Sequence, residues 1–436
     1  MKTYGYGKQN INKDDIKAVI DVLKSPYLTC GPKVKEFEQA ICDYTGAKYA
    51  VALNSATSAL HVAMLAAGVS DNPALMSAPS IEGHYEASEH SFPSPGGVPK
   101  AEWSSSHGKM PKAGWSPSYG GVPKAKQFPS PGGVPKAGWS ESNEVITTPI
   151  TFLASANCAR YCNAKVIFAD IEPETANISA DEIKKHITPR TKAIVPVHFA
   201  GQSCDMEAIQ KIAKENNLFV IEDAAHAIGS EYKNTKVGSC KYSDMTVFSF
   251  HPVKTITTAE GGCVTTNSEE LYKKLCAYRA HGMHKDGDMQ NDWRYEMREL
   301  GYNYRMTDIQ AALGISQLKR LEGFKKRRRE IVDYYNKNLG LPHLIEKDFS
   351  NACFHLYPIL VENRKSFYFK AREVGLNLQV HYIPVHLQPY YKQFGYKEGD
   401  YKNAEKYYEH CISLPLYPDL TNEDLDEIIK RIKGII

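Results

Sequence analysis

Most of the chain shows one of two patterns of apolar residues: short apolar runs, or apolar residues spaced three and four positions apart. Short apolar runs predict buried strands at 49–52, 144–148, 166–170, 193–199, 218–223 and 245–250. Apolar residues spaced three and four apart predict helices at 13–23, 35–45, 180–186, 205–215 and 308–320. Because strands that alternate with helices are typical of a mostly parallel sheet covered by helices, the pattern predicts an α/β fold.

The C-terminal part of the chain has shorter elements. Strands are predicted at 355–360 and 378–382, and helices at 367–374 and 405–410. The basic run at 325–329 is interpreted as a solvated helix face. We therefore predict a large α/β domain, made of residues 1–70 and 143–320 with an N-terminal arm at 1–12, and a small α+β domain at 321–436.

The periodicity stops between residues 71 and 142. This segment is rich in Pro, Gly and Ser, and a Pro-Lys-Ala repeat recurs every twelve residues, with tryptophans at Trp103, Trp115 and Trp139. A repeat of this length matches none of the common helical solenoids, and so much proline and glycine argues against a packed core. We predict a disordered insertion in a surface loop, because the flanking helix and strand would otherwise be joined by a few residues.

The insertion has two alternative interpretations. Its tryptophans could make it an interaction module that binds a partner or a glycan. It could also have disabled the protein, although intact motifs on both sides argue against this. Its six lysines balance six acidic residues, so it is not a basic arm for nucleic acid.

Composition excludes several classes of protein. The 436 residues carry a net charge of +3, too weak a bias to indicate a nucleic-acid partner. Ten cysteines lack the paired spacing of zinc sites or a disulfide framework, so no metal site is predicted. We find no signal peptide and no apolar run of about 18 residues, which predicts a cytoplasmic protein without membrane contact.

A lysine follows the predicted strand at 245–250. Lys254 is succeeded by three threonines and by Gly261-Gly262, whose small size lets the backbone pack closely. Burying an ammonium group is costly, but a desolvated lysine has a lowered pKa and can form an imine with an aldehyde or ketone. The alternative is a lysine whose charged end reaches the surface.

An acidic residue closes the strand at 218–223. Asp223 is followed by His226 in the sequence Glu-Asp-Ala-Ala-His. A carboxylate at the end of a parallel strand points into the crevice where α/β proteins bind ligands. There it could keep a pyridine nitrogen protonated, which pyridoxal phosphate requires to act as an electron sink. A helix cap or a turn acid is the competing explanation.

Hydroxyl-bearing and small residues follow the strand at 49–52. Ser55, Ala56 and Thr57 precede a small-residue helix that ends near Ala67. Free amides at a helix N-terminus bind phosphate, although an ordinary serine N-cap gives the same pattern. The lysine, the strand-end acid and this phosphate cup together predict a pyridoxal phosphate site more strongly than any one of them.

These stretches occur in the order typical of the DegT/StrS group of sugar-nucleotide aminotransferases, which the chain resembles over about 4–69 and 143–436. The resemblance rests on the motifs NSATSALH, EDAAHAIGS, FSFHPVKTITTAEGG, LGYNYRMTDIQAALG and QVHYIPVH. It implies a fold-type I pyridoxal-phosphate aminotransferase that works as a homodimer with shared active sites.

The resemblance also implies residue roles. Lys254 would bind the cofactor covalently and move protons, Asp223 would contact the ring nitrogen, and His226 would support Asp223 or the oxygen side of the ring. Phe152 would stack on the cofactor ring, unless it is a core phenylalanine. The residues expected to hold the phosphate are Ser55, Ala56, Thr57, Ser249 and, reaching from one subunit to the other's cofactor, Asn303.

The expected substrate contacts are less specific. For the residues at 27 and 29 the alternative is a surface turn, and for those at 304 and 305 it is a capping turn. For the histidine at 381 it is a half-buried side chain whose hydrogen bonds are made within the protein. The candidates are Tyr27, Thr29, Tyr304, Arg305 and His381.

The implied reaction transfers an amino group from glutamate to a 4-keto-6-deoxy sugar nucleotide. The resemblance favours a UDP-linked 2-acetamido sugar for pseudaminic acid-type surface glycans. The alternatives are another nucleotide-sugar aminotransferase, of the perosamine or 4-amino-arabinose type, and a non-catalytic regulator that binds pyridoxal phosphate. Related sugar dehydratases replace the lysine with histidine, so Lys254 argues against that reaction.

Overall fold

A computed structural model describes residues 2–70, 142–285 and 293–436 of the chain. The predicted insertion lies outside these residues, apart from Ser142. On either side of it, the side-chain amide of Asn143 donates to the carbonyl oxygen of Val69 at 3.2 Å. The chain therefore leaves and re-enters the fold at neighbouring points. The described residues gather into one compact unit.

The helices are numbered here in chain order. They are α1 Lys13–Leu23, α2 Pro32–Thr45, α3 Ala56–Ala66, α4 Leu153–Tyr161, α5 Ala180–His186, α6 Met206–Asn216, α7 Glu269–Arg279, α8 Asp308–Leu318, α9 Leu321–Leu339, α10 Arg364–Glu373, α11 Pro389–Lys392, α12 Lys402–His410 and α13 Asn422–Lys433.

The strands are numbered in the same way. They are β1 Tyr4–Gly5, β2 Tyr49–Leu53, β3 Glu144–Thr147, β4 Lys165–Phe168, β5 Thr191–Val195, β6 Phe219–Asp223, β7 Glu231–Tyr232, β8 Thr235–Lys236, β9 Met245–Ser249, β10 Gly262–Thr266, β11 Met283–His284, β12 Glu296–Met297, β13 Ser350–Asn351, β14 Tyr357–Leu360, β15 Leu376–Asn377 and β16 Cys411–Leu414.

A seven-stranded sheet forms the centre of the fold, with the strand order β2-β10-β9-β6-β5-β3-β4. β10 is antiparallel to both its neighbours, and the pairs from β9 to β4 are parallel. Every residue of β9 is buried, as expected for a central strand with both faces covered. The predicted α/β class with a mostly parallel sheet is confirmed.

Several helices begin where side chains satisfy the first backbone amides. Asn12 and Asp15 cap α1 reciprocally, each accepting from the other's backbone N–H at 2.9 Å. Thr307 and Gln310 make the same arrangement at α8. Because such capping boxes are local in sequence, the predicted starts of α1 and α8 agree with the structure.

The C-terminal residues build a second apolar core. Its buried members include Ile331 of α9, Ile359 of β14, Leu414 of β16 and Ile428 of α13. β1 pairs in parallel with β15, and the hydroxyl of Tyr4 donates to Asp424 at 2.8 Å. The N-terminal arm is thereby attached to this part of the fold.

Two local predictions were wrong. The strand expected at 378–382 is replaced by the shorter β15, after which Gln379 makes only an isolated bridge to Ser413. The chain then turns towards Pro384, which has no N–H to donate to a ladder.

The basic run at 325–329 is not a solvated face, since Arg328 is 1% exposed. Its guanidinium donates to three carbonyl oxygens, which compensate for the lost water: those of Phe354, His355 and Leu416.

Candidate active site

Gly262 places β10 directly against the first turn of α3. A Cβ at this position would lie 2.4 Å from the carbonyl oxygen of Ser55 and 2.6 Å from the amide nitrogen of Ala56. In the sheet register, Gly262 is paired with Ser249 on one side and Leu53 on the other. The close approach therefore brings Ser249 and the N-terminus of α3 together at the carboxyl ends of β9 and β2.

The N-terminus of α3 presents unused hydrogen-bond donors. The hydroxyl of Ser55 accepts from the amide of Ser58 at 3.0 Å, so Ser55 is the N-cap. Among the described residues, the amides of Ala56 and Thr57 and the hydroxyl of Thr57 have no hydrogen-bond partner. These donors form an anion site at the positive end of the helix, so capping and phosphate binding are compatible here.

Asp223 ends β6 and is 4% exposed. Its Oδ1 accepts from the amide of Ala225 at 3.1 Å, which is the turn contact expected of an acid at this position. Its Oδ2 accepts from the hydroxyl of Ser155 at 2.6 Å. Ser155 could not be predicted from the sequence, because no local pattern distinguishes a serine of α4 that contacts a strand 68 residues later.

Lys254 follows β9 in a turn, where its backbone N–H donates to the carbonyl oxygen of His251 at 2.9 Å. In the part of the chain that the structure describes, its amine has neither a hydrogen bond nor an ion pair. Burial lowers the pKa of Lys254 to about 8, and the negative charge of Asp223 opposes this shift. A lysine with its charged end in bulk water would keep its ordinary pKa.

Three buried histidines lie close enough to Lys254 for its positive charge to lower their pKa values. Burial lowers the pKa of His381 to about 3, and the positive charge of Lys254 contributes. The same two causes hold the pKa of His226 and of His355 well below its usual range. All three imidazoles are therefore neutral at physiological pH, each with one N–H donor and one acceptor nitrogen.

His226 contacts Tyr382 and not Asp223. Its Nε2 lies 3.2 Å from the hydroxyl of Tyr382, and its Nδ1 is buried without a hydrogen-bond partner. Its ring centroid is 4.5 Å from that of His355, whose Nδ1 is likewise buried and unpaired. Buried polar atoms without partners require an explanation, and a ligand bound beside these two rings would provide one.

Phe152 is 59% exposed at the start of α4, so it is not a core phenylalanine. Its ring centroid lies 6.2 Å from that of Tyr382. His381, in contrast, is 4% exposed, and its Nδ1 lies 2.9 Å from the hydroxyl of Ser413. His381 therefore has a hydrogen-bond partner within the protein, and it also lies close to Lys254.

Two of the other predicted substrate contacts, Tyr304 and Arg305, lie beside the start of α3. The carbonyl oxygen of Tyr304 accepts from the amide of Asn54 at 2.9 Å, and Arg305 forms a bridge with Leu53. Thr29 forms an isolated antiparallel β-bridge with Thr307, the residue before α8. Tyr27 and Asn303 are exposed, and the structure gives the side chain of neither a contact with Lys254.

These features fit pyridoxal phosphate. The free amine of Lys254 suits its aldehyde, the donors of α3 suit its phosphate, and Asp223 suits its ring nitrogen. In the described residues, no group of three or more His, Cys, Asp and Glu side chains is placed to hold a metal ion. No helix in the same residues is long and apolar enough to cross a membrane.

Known proteins are similar to nearly the whole length of this chain. A spore coat polysaccharide biosynthesis protein of Bacillus subtilis, SpsC, is 37% identical, with 99% of this chain and 96% of that protein covered. The UDP-4-amino-4,6-dideoxy-N-acetyl-beta-L-altrosamine transaminase of Campylobacter jejuni serotype O:23/36 is 35% identical, with 98% of both chains covered.

Solved structures give the same result. The Helicobacter pylori aminotransferase PseC, involved in the biosynthesis of pseudoaminic acid, matches with a TM-score of 0.79, 31% identity, and 100% of this chain and 99% of that chain covered. The Streptococcus pneumoniae protein Spr1654 in its PLP form matches with a TM-score of 0.78 and 28% identity, covering 100% of this chain and 98% of that one.

A family description covers most of the chain and omits most of the predicted insertion. The matched residues are 9–80 and 134–433, which leaves 81–133 unmatched. The chain belongs to the DegT/DnrJ/EryC1/StrS aminotransferase family.

Proposed function

We propose that this sugar aminotransferase passes an amino group from glutamate to the C4 carbonyl of a UDP-linked 4-keto-6-deoxy sugar with a 2-acetamido group. The product would be a 4-amino sugar nucleotide for a pseudaminic acid-type surface glycan. The observation that carries the reaction is the unpaired amine of Lys254 near the carboxylate of Asp223. The choice of sugar is supported by the altrosamine transaminases of Campylobacter jejuni and Helicobacter pylori, at 33% to 35% identity.

The proposed cofactor site uses residues from four parts of the fold. Bound pyridoxal phosphate would supply an electron sink for the carbanion formed at the α-carbon of the amino donor. The amides of Ala56 and Thr57, with the hydroxyl of Ser249, would hold the phosphate at the N-terminus of α3. Asp223 would keep the proton on the ring nitrogen, and Phe152, which is exposed, would contact the ring.

Lys254 is the proposed acid and base. A pKa of about 8 lets its amine take up and release a proton near neutral pH, where a general acid–base catalyst works best. It would remove the α-proton of the donor and return a proton to the carbon that becomes aminated. The neighbouring neutral histidines do not compete for this proton, because burial disfavours their charged forms.

We also propose a homodimer with shared sites. Asn303 is exposed and lies next to Tyr304, whose backbone is bonded to the residue before the phosphate cup. An exposed asparagine in this position is free to reach a second subunit. The active sites would then be incomplete in a single chain.

An absorbance spectrum tests the reaction class. Purified protein supplied with pyridoxal phosphate should develop a visible band, which glutamate should convert to the shorter-wavelength band of the aminated cofactor. Lys254→Ala should lose this conversion while keeping its fold, measured by circular dichroism. A protein that binds no cofactor in excess pyridoxal phosphate would instead favour the non-catalytic interpretation.

A second measurement tests the sugar. The aminated enzyme should regain the original band fastest with the UDP-linked 2-acetamido-4-keto-6-deoxy sugar. The matched comparison substrates are a dTDP-linked and a GDP-linked 4-keto-6-deoxy sugar without the acetamido group. A faster reaction with either of these would assign the chain to a different nucleotide-sugar branch.

A further inference from the structure

The hydroxyl of Tyr382 has a single hydrogen-bond partner among the described residues, the Nε2 of His226 at 3.2 Å. Tyr382 comes from the segment after β15, and His226 from the loop after β6, so the contact joins two distant parts of the chain. The two rings lie nearly parallel, with 25° between their planes and 6.2 Å between their centroids. Tyr382 is not among the site residues predicted from the sequence.

The direction of this hydrogen bond follows from counting donors. If the hydroxyl donates, Nε2 is the acceptor, the ring proton sits on Nδ1, and one polar group of the pair stays unpaired. If Nε2 donates, the hydroxyl proton and the lone pair of Nδ1 both lack partners. Because each buried unpaired group costs free energy, the first arrangement is favoured.

The surroundings of His226 agree with a neutral ring. The charged and titratable groups that affect its protonation are Lys254 and His381, and both disfavour a second proton. Burial raises the pKa of Tyr382, so its hydroxyl keeps the proton that it donates. On the other side, His355 packs on the ring without a hydrogen bond to it.

We propose that Tyr382 is a positioning residue that holds His226 in the tautomer protonated on Nδ1, leaving this N–H for an oxygen acceptor on the bound pyridine ring. The proposal rests on the proposed pyridoxal phosphate site. The phenolic oxygen of pyridoxal is adjacent to its aldehyde carbon, so it is the acceptor that the ring brings beside Lys254. This also explains why a buried donor has no partner within the chain itself.

The tautomer can be measured without cofactor. Isotope-edited NMR of the histidine ring nitrogens in the full-length cofactor-free protein should show His226 protonated on Nδ1, with the signal assigned by its loss in His226→Gln. Tyr382→Phe removes only the hydroxyl and should produce a mixture of tautomers. Tyr407→Phe is the matched control, since the hydroxyl of Tyr407 donates to the carbonyl oxygen of His381 at 3.2 Å and not to His226.

Cofactor affinity gives a second readout. Tyr382→Phe should bind pyridoxal phosphate about three- to tenfold more weakly than the unmodified protein, the usual effect of weakening one hydrogen bond. Tyr407→Phe should bind as the unmodified protein does. A purely structural role of the tyrosine ring would leave both the tautomer and the affinity unchanged in the phenylalanine variant.

Three results would overturn the proposal. The first is His226 protonated on Nε2 in the unmodified protein, which decides the matter even if Tyr382→Phe does not fold. The second is the same tautomer in Tyr382→Phe as in the unmodified protein. The third is an equal loss of affinity in Tyr407→Phe. A failure of the glutamate reaction alone would contradict the proposed function and leave these measurements valid.

Discussion

The hydroxyl of Ser155 donates to Oδ2 of Asp223 at 2.6 Å, which joins the first turn of α4 to the carboxyl end of β6. Phe152, three residues before Ser155, is the N-cap of the same helix. One short helix therefore both holds the carboxylate that is to contact the ring nitrogen and places the aromatic side chain that is to cover the ring.

Replacing this serine should weaken cofactor binding. In Ser155→Ala, Oδ2 of Asp223 loses its donor inside a buried environment, which costs about 1–3 kcal/mol. Part of this cost falls on the charged carboxylate that the proposed ring nitrogen needs. We expect weaker binding of pyridoxal phosphate, measured by fluorescence titration.

The matched control is Ser203→Ala, whose buried hydroxyl donates to the carbonyl oxygen of Cys204 at 3.0 Å. A surface serine would be an unsuitable control, because the hydroxyl group that is removed must be buried in both variants. Equal cofactor affinity in Ser155→Ala and the unmodified protein would show that the Asp223 carboxylate needs no support from α4.

The close approach at Gly262 predicts a severe effect of a single methyl group. In Gly262→Ala, the new Cβ would collide with the backbone of Ser55 and Ala56, at 2.4 Å and 2.6 Å from their nearest atoms. Since backbone atoms cannot rotate away, β10 and α3 must separate, and the amides proposed to bind the phosphate move. We expect a loss of stability and of cofactor binding, measured by thermal unfolding and titration.

Gly323 provides the contrast. It lies in α9, and a Cβ there meets nothing within 4 Å. Gly323→Ala should stabilise the protein by about 0.5–1 kcal/mol, because alanine loses less conformational freedom in a helix. A Gly262→Ala variant that unfolds at the same temperature as the unmodified protein would refute the close-packing argument.

The charge of Lys254 predicts a pH-dependent stability. Its pKa is about 8 in the fold, against an ordinary value of 10.5. Between these values the unfolded chain binds more protons at this site, so the contribution of Lys254 to stability rises with pH across this window and is constant below it. The cofactor-free Lys254→Met variant lacks this dependence.

The measurement is the difference in unfolding free energy between Lys254→Met and the unmodified protein, both without cofactor. The variant should be the more stable below pH 8, and its advantage should shrink as the pH rises towards 10.5. Taking the difference cancels the titration of the other lysines. A difference that does not change with pH would mean that the amine is solvated.

The parts of the fold that could be predicted are those specified locally. The capping pairs Asn12–Asp15 and Thr307–Gln310 mark helix starts within four residues of sequence. Strand β6 and its terminal Asp223 are likewise contained in one apolar run. Such features need no knowledge of what they pack against.

The parts that could not be predicted depend on partners distant in sequence. Ser155, Tyr382 and His355 acquire their positions only when three parts of the chain meet near Lys254: α4, the segment after β15 and the segment between β13 and β14. Arg328 is buried for the same reason, since its three carbonyl acceptors come from other parts of the chain. From the sequence alone, a charged side chain is expected to be exposed to solvent.

The geometry beside the insertion predicts that it can be removed. The side chain of Asn143 is hydrogen-bonded to the carbonyl oxygen of Val69, so a short Gly-Ser linker can join Ser70 to Asn143 after deletion of residues 71–142. The family match also omits residues 81–133. We expect cofactor binding and kcat/KM to stay within a small factor of those of the full chain. A large loss of kcat/KM with cofactor binding retained would assign the insertion a role in substrate binding.

The proposed homodimer with shared active sites predicts that two inactive variants can restore each other. Asn303→Asp would place a negative charge beside the phosphate of the neighbouring subunit, and Lys254→Ala removes the reactive amine of its own subunit. In a mixed dimer, one site carries both changes and the other carries neither. Random mixing in equal amounts should therefore restore about a quarter of the unmodified activity, since half of the dimers are mixed and each has one intact site.

The control mixes Lys254→Ala with Asp223→Ala, whose residues are both expected to serve the same subunit's site. Every mixed dimer then has one damaged residue in each site, so no activity should return. Recovery in the first mixture but not in the second requires Asn303 to act across the interface. If dimers shown to be mixed by differential tagging remain inactive in both cases, Asn303 acts within its own subunit and the sites are not shared.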